Sequence, residues 1–390
     1  MVEQRRVVTA APENSETPLE RLASWVTPNR LFFVRNHFEV PRIDVATWRL
    51  RIEGLVERPR EWTFDELAEL PQRTVFATLE CAGNGRSFLR PHAHGVPWGA
   101  GAIGHAEWTG VPLREVLDEA GLKPSAVALV FEGHDRGTEA DHPEPMSFCR
   151  GLPMAKALDP HTLIALRMNG ELLEPNHGFP ARLLVPGWYG VASVKWLRRI
   201  AAVDQPPRGY YETIKYTIQE RTPQGIVTVP LGPMMVKSEI IRPRPGEVLG
   251  VGANRVAGVA WAGEEAVARV EVSADGGRTW ADAELVGPRD RFSWTLWEYL
   301  WEAAAPGCYT LLARATTASG RVQPLEHDPL HGGYLIHHSR PTPVEVVPAR
   351  RSRDQLGDAA LLLYDMNAFA EENTRLPLDV EMDFTSGEGI

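Results

Sequence analysis

Five prolines (Pro223, Pro230, Pro233, Pro243 and Pro245) fall between Gln219 and Pro245. A proline inside a helix removes a backbone donor and collides with the preceding turn, so no long helix crosses this stretch. It reads as a linker that begins to add strands to the second part of the chain, and it separates two parts of different character. A chain of 390 residues leaves room for two domains or three. The expected division is 1–222, 223–349 and a C-terminal extension, 350–390.

The first part mixes helix and strand signals. Thr17-Pro18-Leu19-Glu20 reads as a capped helix start with proline at the first position, and Thr63-Phe64-Asp65-Glu66 as a second capping box. A third helix is expected over Leu113–Leu117, stopped by Gly121. Trp48–Ile52, Thr74–Leu79, Ala126–Phe131 and Arg182–Val185 read as strands. The second part reads as all-β. Arg269–Ser273 alternates, Asp275-Gly276-Gly277 turns, and Arg278-Thr279-Trp280 starts a return strand. Further strands are expected near Phe292–Trp297, Tyr309–Ala315 and Val344–Val347. The fold class is therefore α+β followed by an immunoglobulin-like sandwich. In the tail, Leu361-Leu362-Leu363 and Phe369 could dock on a neighbour or stay exposed.

The net charge of −10 argues against nucleic acid or an anionic membrane as a partner over the whole surface. No apolar run approaches the length of a transmembrane helix. Arg5-Arg6 is followed by too short and too polar a stretch for a secretory signal. Three cysteines without a CxxC pair fit a reducing compartment, and a cytoplasmic location is expected.

Cys81 stands where a strand runs into Ala82-Gly83-Asn84-Gly85-Arg86. Glycines there let backbone N–H groups turn inward, and Arg86 favours thiolate. Taken alone, a buried cysteine acting as a small hydrophobe is the commoner reading. The GxG fragment is no dinucleotide fingerprint, since position 88 is phenylalanine. Arg35-Asn36-His37, behind Leu31-Phe32-Phe33-Val34, offers three kinds of donor or reads as a solvated strand end. Asn176-His177-Gly178-Phe179-Pro180-Ala181-Arg182 and the glycine-spaced Pro186–Trp196, ending in Lys195-Trp196, would let a bulky polar cofactor approach the backbone. His92 and His94 lack a third ligand at metal-binding spacing, and the adjacent His337 and His338 would point to opposite faces of a strand.

In this order, these segments resemble the sulfite oxidase family of molybdenum enzymes from about Leu19 to Val347. Gly95-Val96-Pro97-Trp98, Phe131–Asp135, Ser193–Arg199, Asp275–Trp280 and Val322-Gln323-Pro324 carry the resemblance alongside the Cys81 loop. It implies a sulfite-oxidase-type molybdopterin-binding domain, then a dimerisation domain. It implies a molybdenum-molybdopterin cofactor whose metal takes the Cys81 thiolate, a soft donor suited to the chemistry. Arg35, Asn36, His37, Asp135, His177, Arg182, Ser193, Val194 and Lys195 match cofactor-contacting positions. Arg35, Arg86, Trp98 and Tyr216 match the substrate pocket, with Tyr210 and Tyr211 as alternatives to Tyr216.

The implied activity is oxygen-atom transfer oxidising sulfite or a related small oxyanion, in a homodimer. Electrons would pass to oxygen or a separate redox protein, since the chain has no haem motif. One departure stands out. The arginine that sulfite-oxidising members carry in the second domain falls at Gly332, within Pro329-Leu330-His331-Gly332-Gly333-Tyr334. The alternatives are an S-oxide or N-oxide reductase using the same centre, a silent binding or assembly module keeping the fold and, more remotely, a thiol hydrolase using Cys81.

Overall fold

A computed structural model describes residues 4–348, and residues 4–347 form one compact unit. Leu361-Leu362-Leu363 and Phe369 lie outside the described residues.

Two five-stranded sheets build the first half. One runs in the order Glu171–Leu172, Leu163–Met168, Ile103–Pro112, Arg73–Glu80, with Arg182–Leu184 also paired to Leu163–Met168. The other runs Arg60–Trp62, Leu50–Gly54, Leu197–Val203, Ala128–Glu139, His142–Pro153. Most neighbours are antiparallel, and Leu50–Gly54 runs parallel to Leu197–Val203. A small sheet of Arg6–Ala10, Glu13–Glu16 and Val34–Arg35 brings the N-terminal segment beside the Arg35 stretch.

The helices are short. Phe64–Glu69 carries the expected capping box: Thr63 Oγ1 accepts the Glu66 N–H at 3.1 Å, and a Glu66 carboxylate oxygen accepts the Thr63 N–H at 2.7 Å. Leu113–Ala120 buries Leu113, Val116, Leu117 and Ala120 along one stripe and ends at Gly121, whose φ is +69°. The start near Thr17 departs from expectation. Only a turn of 3-10 helix forms, Leu19–Arg21, without a side-chain cap. The Thr17 hydroxyl lies 2.8 Å from the Leu31 carbonyl and 3.1 Å from that of Ile103, so two distant backbone groups take the place of the cap.

The proline-rich stretch is more structured than a linker. Thr217–Thr222 and Gly225–Pro230 form a hairpin, and Lys237–Arg242 is an edge strand of the next sheet. That sheet runs Lys237–Arg242, Gly252–Trp261, Thr295–Ala303, Glu284–Val286. Its partner runs Val248–Gly250, Thr342–Val347, Gly307–Thr317, Val267–Ser273, Ala281–Asp282. Ile240, Val256, Trp297 and Trp301 from the first share one core with Val270, Val272, Leu311 and Val344 from the second. This is the expected sandwich. The Asp275 turn is as read, but the return strand begins at Ala281, because Asp275 Oδ1 accepts the N–H groups of both Arg278 and Thr279 at 2.9 Å.

The two halves are bonded to each other through buried groups. Trp294 Nε1 donates to the Trp25 carbonyl at 2.9 Å, and His105 Nε2 lies 2.9 Å from Ser293 Oγ. Lys237 Nζ donates to Glu80 at 3.3 Å, and Glu80 also accepts the Trp261 indole N–H at 2.9 Å. These contacts reach the end of the strand that carries Cys81.

Candidate molybdenum site

Cys81 follows the strand Arg73–Glu80 directly, and its loop is held from below. The Cys81 N–H donates to the Ala102 carbonyl at 2.9 Å, and its own carbonyl accepts the Asn84 N–H at 2.8 Å. The Asn84 side chain takes the Ala102 N–H and donates to Glu80. The buried Cys81 thiol lines a cavity together with Arg35, His37, Asp135, His177, Arg182, Ser193, Lys195 and Tyr216. Segments far apart in the chain converge here because the apolar run Leu31–Val34 is buried, which draws the polar residues after it inward.

One wall is a phenol between an imidazole and a guanidinium. Tyr216 Oη lies 2.7 Å from His37 Nε2 and accepts from Arg35 Nη2 at 3.4 Å. Burial, then the Arg35 charge, holds His37 well below its ordinary pKa, so the imidazole is neutral. Burial raises the Tyr216 pKa, and Arg35 opposes this only in part. Burial works against the Arg35 charge, yet Tyr216 and Cys81 beside it leave the guanidinium above its usual pKa. Of the three nearby tyrosines, Tyr216 alone lines this cavity. Tyr210 bonds Asp141, and Tyr211 donates to Glu139 at 2.9 Å.

A second part of the lining is cationic. Lys195 Nζ donates to the Asn36 side chain and, at 2.9 Å, to the Asn176 carbonyl. Burial and the nearby Arg182 lower its pKa well below that of a free lysine. Arg182 donates to the carbonyls of His177 and Ser193, each at 3.1 Å, and burial lowers its pKa to about 9. Burial takes His177 down to about 3. Burial raises Asp135 to about 6, with Lys195 pulling the other way. Asp135 Oδ1 and Arg182 Nε are buried without a hydrogen-bond partner. Such orphans call for a polar ligand. Gly133 keeps the space open: a Cβ there would lie 2.4 Å from Asp135 Oδ1.

Four expected residues lie off the cavity lining, the first being Asn36, which is buried and accepts from Lys195 on its side-chain oxygen. Val194 is buried beside it and takes the Leu183 N–H on its carbonyl at 2.8 Å. Trp98, expected in the substrate pocket, is fully buried in the core cluster that includes Phe32, Leu79 and Cys81. It does not line the cavity, and its indole N–H is buried without a hydrogen-bond partner. Arg86, also expected there, is turned into a slot beside Gly83 and Gly95, where a Cβ on either glycine would lie within 2.7 Å of the guanidinium. Its Nε donates to Gly333 O and its Nη1 to Val96 O, both at 3.0 Å. Its charge still favours the ionised form of Tyr216.

Two residues outside the expected contact set also take part, Phe148 and, from within the Asn176–Arg182 motif, Asn176. Phe148 stacks on His37 with centroids 4.6 Å apart, and Asn176 lines the cavity next to His177. The adjacency of Asn176 to the His177-Gly178 motif was a usable signal; nothing local marks Phe148. His337 and His338 lie in an irregular segment, not on the expected strand, and their rings neighbour those of His331 and His327 respectively. Among the described residues no group of three or more His, Cys, Asp or Glu side chains could hold a metal ion.

Residues 37–211 match the family model "Oxidoreductase molybdopterin binding domain", and residues 230–329 match "Mo-co oxidoreductase dimerisation domain". Sulfite oxidase from Gallus gallus is 39% identical over 344 residues, covering 82% of this chain and 72% of that protein. The chain belongs to the sulfite oxidase family. Mitochondrial sulfite oxidase from Mus musculus is 34% identical, covering 88% of this chain and 66% of the relative, so the chain spans about two thirds of that protein. The solved structure of the sulfane dehydrogenase SoxCD from Paracoccus pantotrophus superposes with a TM-score of 0.76 at 32% identity, covering 87% of each chain. As a family member, the protein is a molybdenum oxidoreductase with a molybdopterin cofactor. Its own donor set fits that group: a soft thiolate, three cations and orphaned polar atoms around one cavity.

Proposed function

We propose that the protein oxidises sulfite, or a related small oxyanion, by oxygen-atom transfer, and that it acts as a homodimer. The single observation that carries this reading is the meeting of Cys81, Arg35, His37 and Tyr216 on one cavity wall. The name of the chicken and mouse relatives supplies the substrate class.

Cys81 would hold the molybdenum. Asn36, His37, Asp135, His177, Arg182, Ser193, Val194 and Lys195 would hold the pterin and its phosphate, with Arg35 touching both cofactor and substrate. When bound, the metal centre supplies the transferred oxygen and takes up two electrons. Arg35, charged at every working pH, binds and orients the oxyanion. Tyr216 keeps its proton, since burial and neutral His37 leave it no strong base, and presents the O–H toward the reacting oxygen. His37 fixes the phenol's direction. Arg86 acts from behind, fixing the Cys81 loop and lending its positive field. The cation lost at Gly332 leaves Arg35 as the guanidinium of the cavity wall near Cys81.

The two matched families support the division into a catalytic part, 1–222, and a dimerisation part, 223–349. Electrons would leave to oxygen or to a separate redox protein. No helix among the described residues is long and apolar enough to cross a membrane. Three free cysteines support a reducing, cytoplasmic compartment, although the mouse relative is named mitochondrial. The test is steady-state sulfite oxidation by molybdenum-loaded protein with a dye acceptor. Sulfite-dependent dye reduction that disappears in Cys81→Ser is expected. Equal turnover by Cys81→Ser would overturn the assignment.

A further inference from the structure

Tyr334 comes from the second half of the chain, two residues after the position where the resemblance expected an arginine. Its segment is pinned to the Cys81 loop on both sides. The carbonyl of Gly333 accepts from Arg86 Nε at 3.0 Å, and the N–H of Leu335 donates to Ala82 O at 3.1 Å. Between these bonds the Tyr334 ring lies 5.2 Å from the Tyr216 ring, tilted by 31°. The Arg86 guanidinium stands 5.3 Å from the Tyr334 centroid. The Tyr334 hydroxyl accepts the backbone N–H of Tyr216 at 3.3 Å.

That backbone is unusual. Tyr216 has φ of +55°, the left-handed region that bulky L residues avoid. Such a conformation persists only where surrounding contacts over-determine it. Here there are two, the Tyr334 hydroxyl on the N–H and the Leu231 N–H on the carbonyl at 2.8 Å. A tyrosine chosen only to fill space would need no hydroxyl at this point.

We infer that Tyr334 is a positioning residue for Tyr216: it holds the strained backbone that aims the Tyr216 phenol at Arg35 and His37. This rests on the proposed role of Tyr216 in sulfite oxidation.

The experiment compares Tyr334→Phe, Tyr216→Phe and the double variant as molybdenum-loaded full-length protein, with sulfite kinetics and amide hydrogen exchange at Tyr216. Losing one hydrogen bond predicts a roughly fivefold drop in kcat for Tyr334→Phe, with KM little changed. In the Tyr216→Phe background the same change should cost nothing further, since no phenol remains to aim. Exchange at the Tyr216 amide should quicken at least severalfold, with neighbouring amides unchanged. Multiplying losses in the double variant, or an unchanged Tyr216 amide, would overturn the inference. If the parent protein does not oxidise sulfite, the proposed function fails, and the Tyr216 amide still decides whether Tyr334 holds that backbone.

Discussion

The phenol oxygen of Tyr216 lies 2.7 Å from Nε2 of His37, and the imidazole is the one stacked on Phe148. The geometry fixes the Tyr216 phenol in place between His37 and Arg35. Tyr216→Phe should lower kcat by about 10²-fold, the usual scale for a lost hydrogen-bond donor aimed at the reacting oxygen, and leave molybdenum content unchanged. His37 titrates well below its ordinary pKa and Tyr216 above its own, so neither should inflect the kcat profile between pH 7 and 9. Steady-state kinetics across that range checks both statements.

Lys237 bonds Glu80, the residue before Cys81, from the second half of the chain. Lys237 also pairs with Glu239 at 3.5 Å, and Glu239 with Arg340. Removing one member of a buried ionic group leaves the others uncompensated. Lys237→Met should cost about 3–5 kcal/mol in urea unfolding. It should also lower molybdenum retention, because the strand end that presents Cys81 loses its anchor.

Much of this site was legible in the sequence. The strand ending at Cys81 and the helix stopped by Gly121 follow from local pattern, because period and turn chemistry act within a few residues. The direction of Arg86 did not. It is decided by the Gly333 carbonyl, 247 residues away in the chain, and by empty space at Gly83 and Gly95. Trp98 looked like a pocket wall in its motif, yet core packing claimed its indole. Tyr334 had no local mark at all, since its partner Tyr216 meets it only in the folded chain.

Asp135 tests the cofactor cradle. Its unpartnered Oδ1 and its pKa, raised to about 6 by burial, mark a carboxylate waiting for donors. Asp135→Asn should leave the cofactor-free protein at least as stable, because it removes a buried charge. It should nonetheless lower molybdopterin content severalfold, which fluorescence of the released, oxidised pterin will measure.

His105 ties the halves together, bonded to the Trp25 carbonyl and to Ser293. Burial lowers its pKa to about 4, whereas the unfolded side chain titrates near 6.5. As pH falls from 7 to 5, the unfolded chain therefore takes up a proton that the folded chain refuses, and stability is lost. His105 accounts for about 2 kcal/mol of that loss. His105→Gln should be less stable at pH 7 but flatter across this interval by about that amount, as read from urea unfolding at the two pH values.

The most direct test of sulfite chemistry at a Cys81-ligated centre is an anaerobic sulfite titration, with absorbance normalised to measured molybdenum. Full bleaching of the thiolate-to-molybdenum absorption at one sulfite per metal is the predicted result. Molybdenum-replete protein whose spectrum ignores sulfite would contradict the account and move the substrate to another oxyanion or to an oxide.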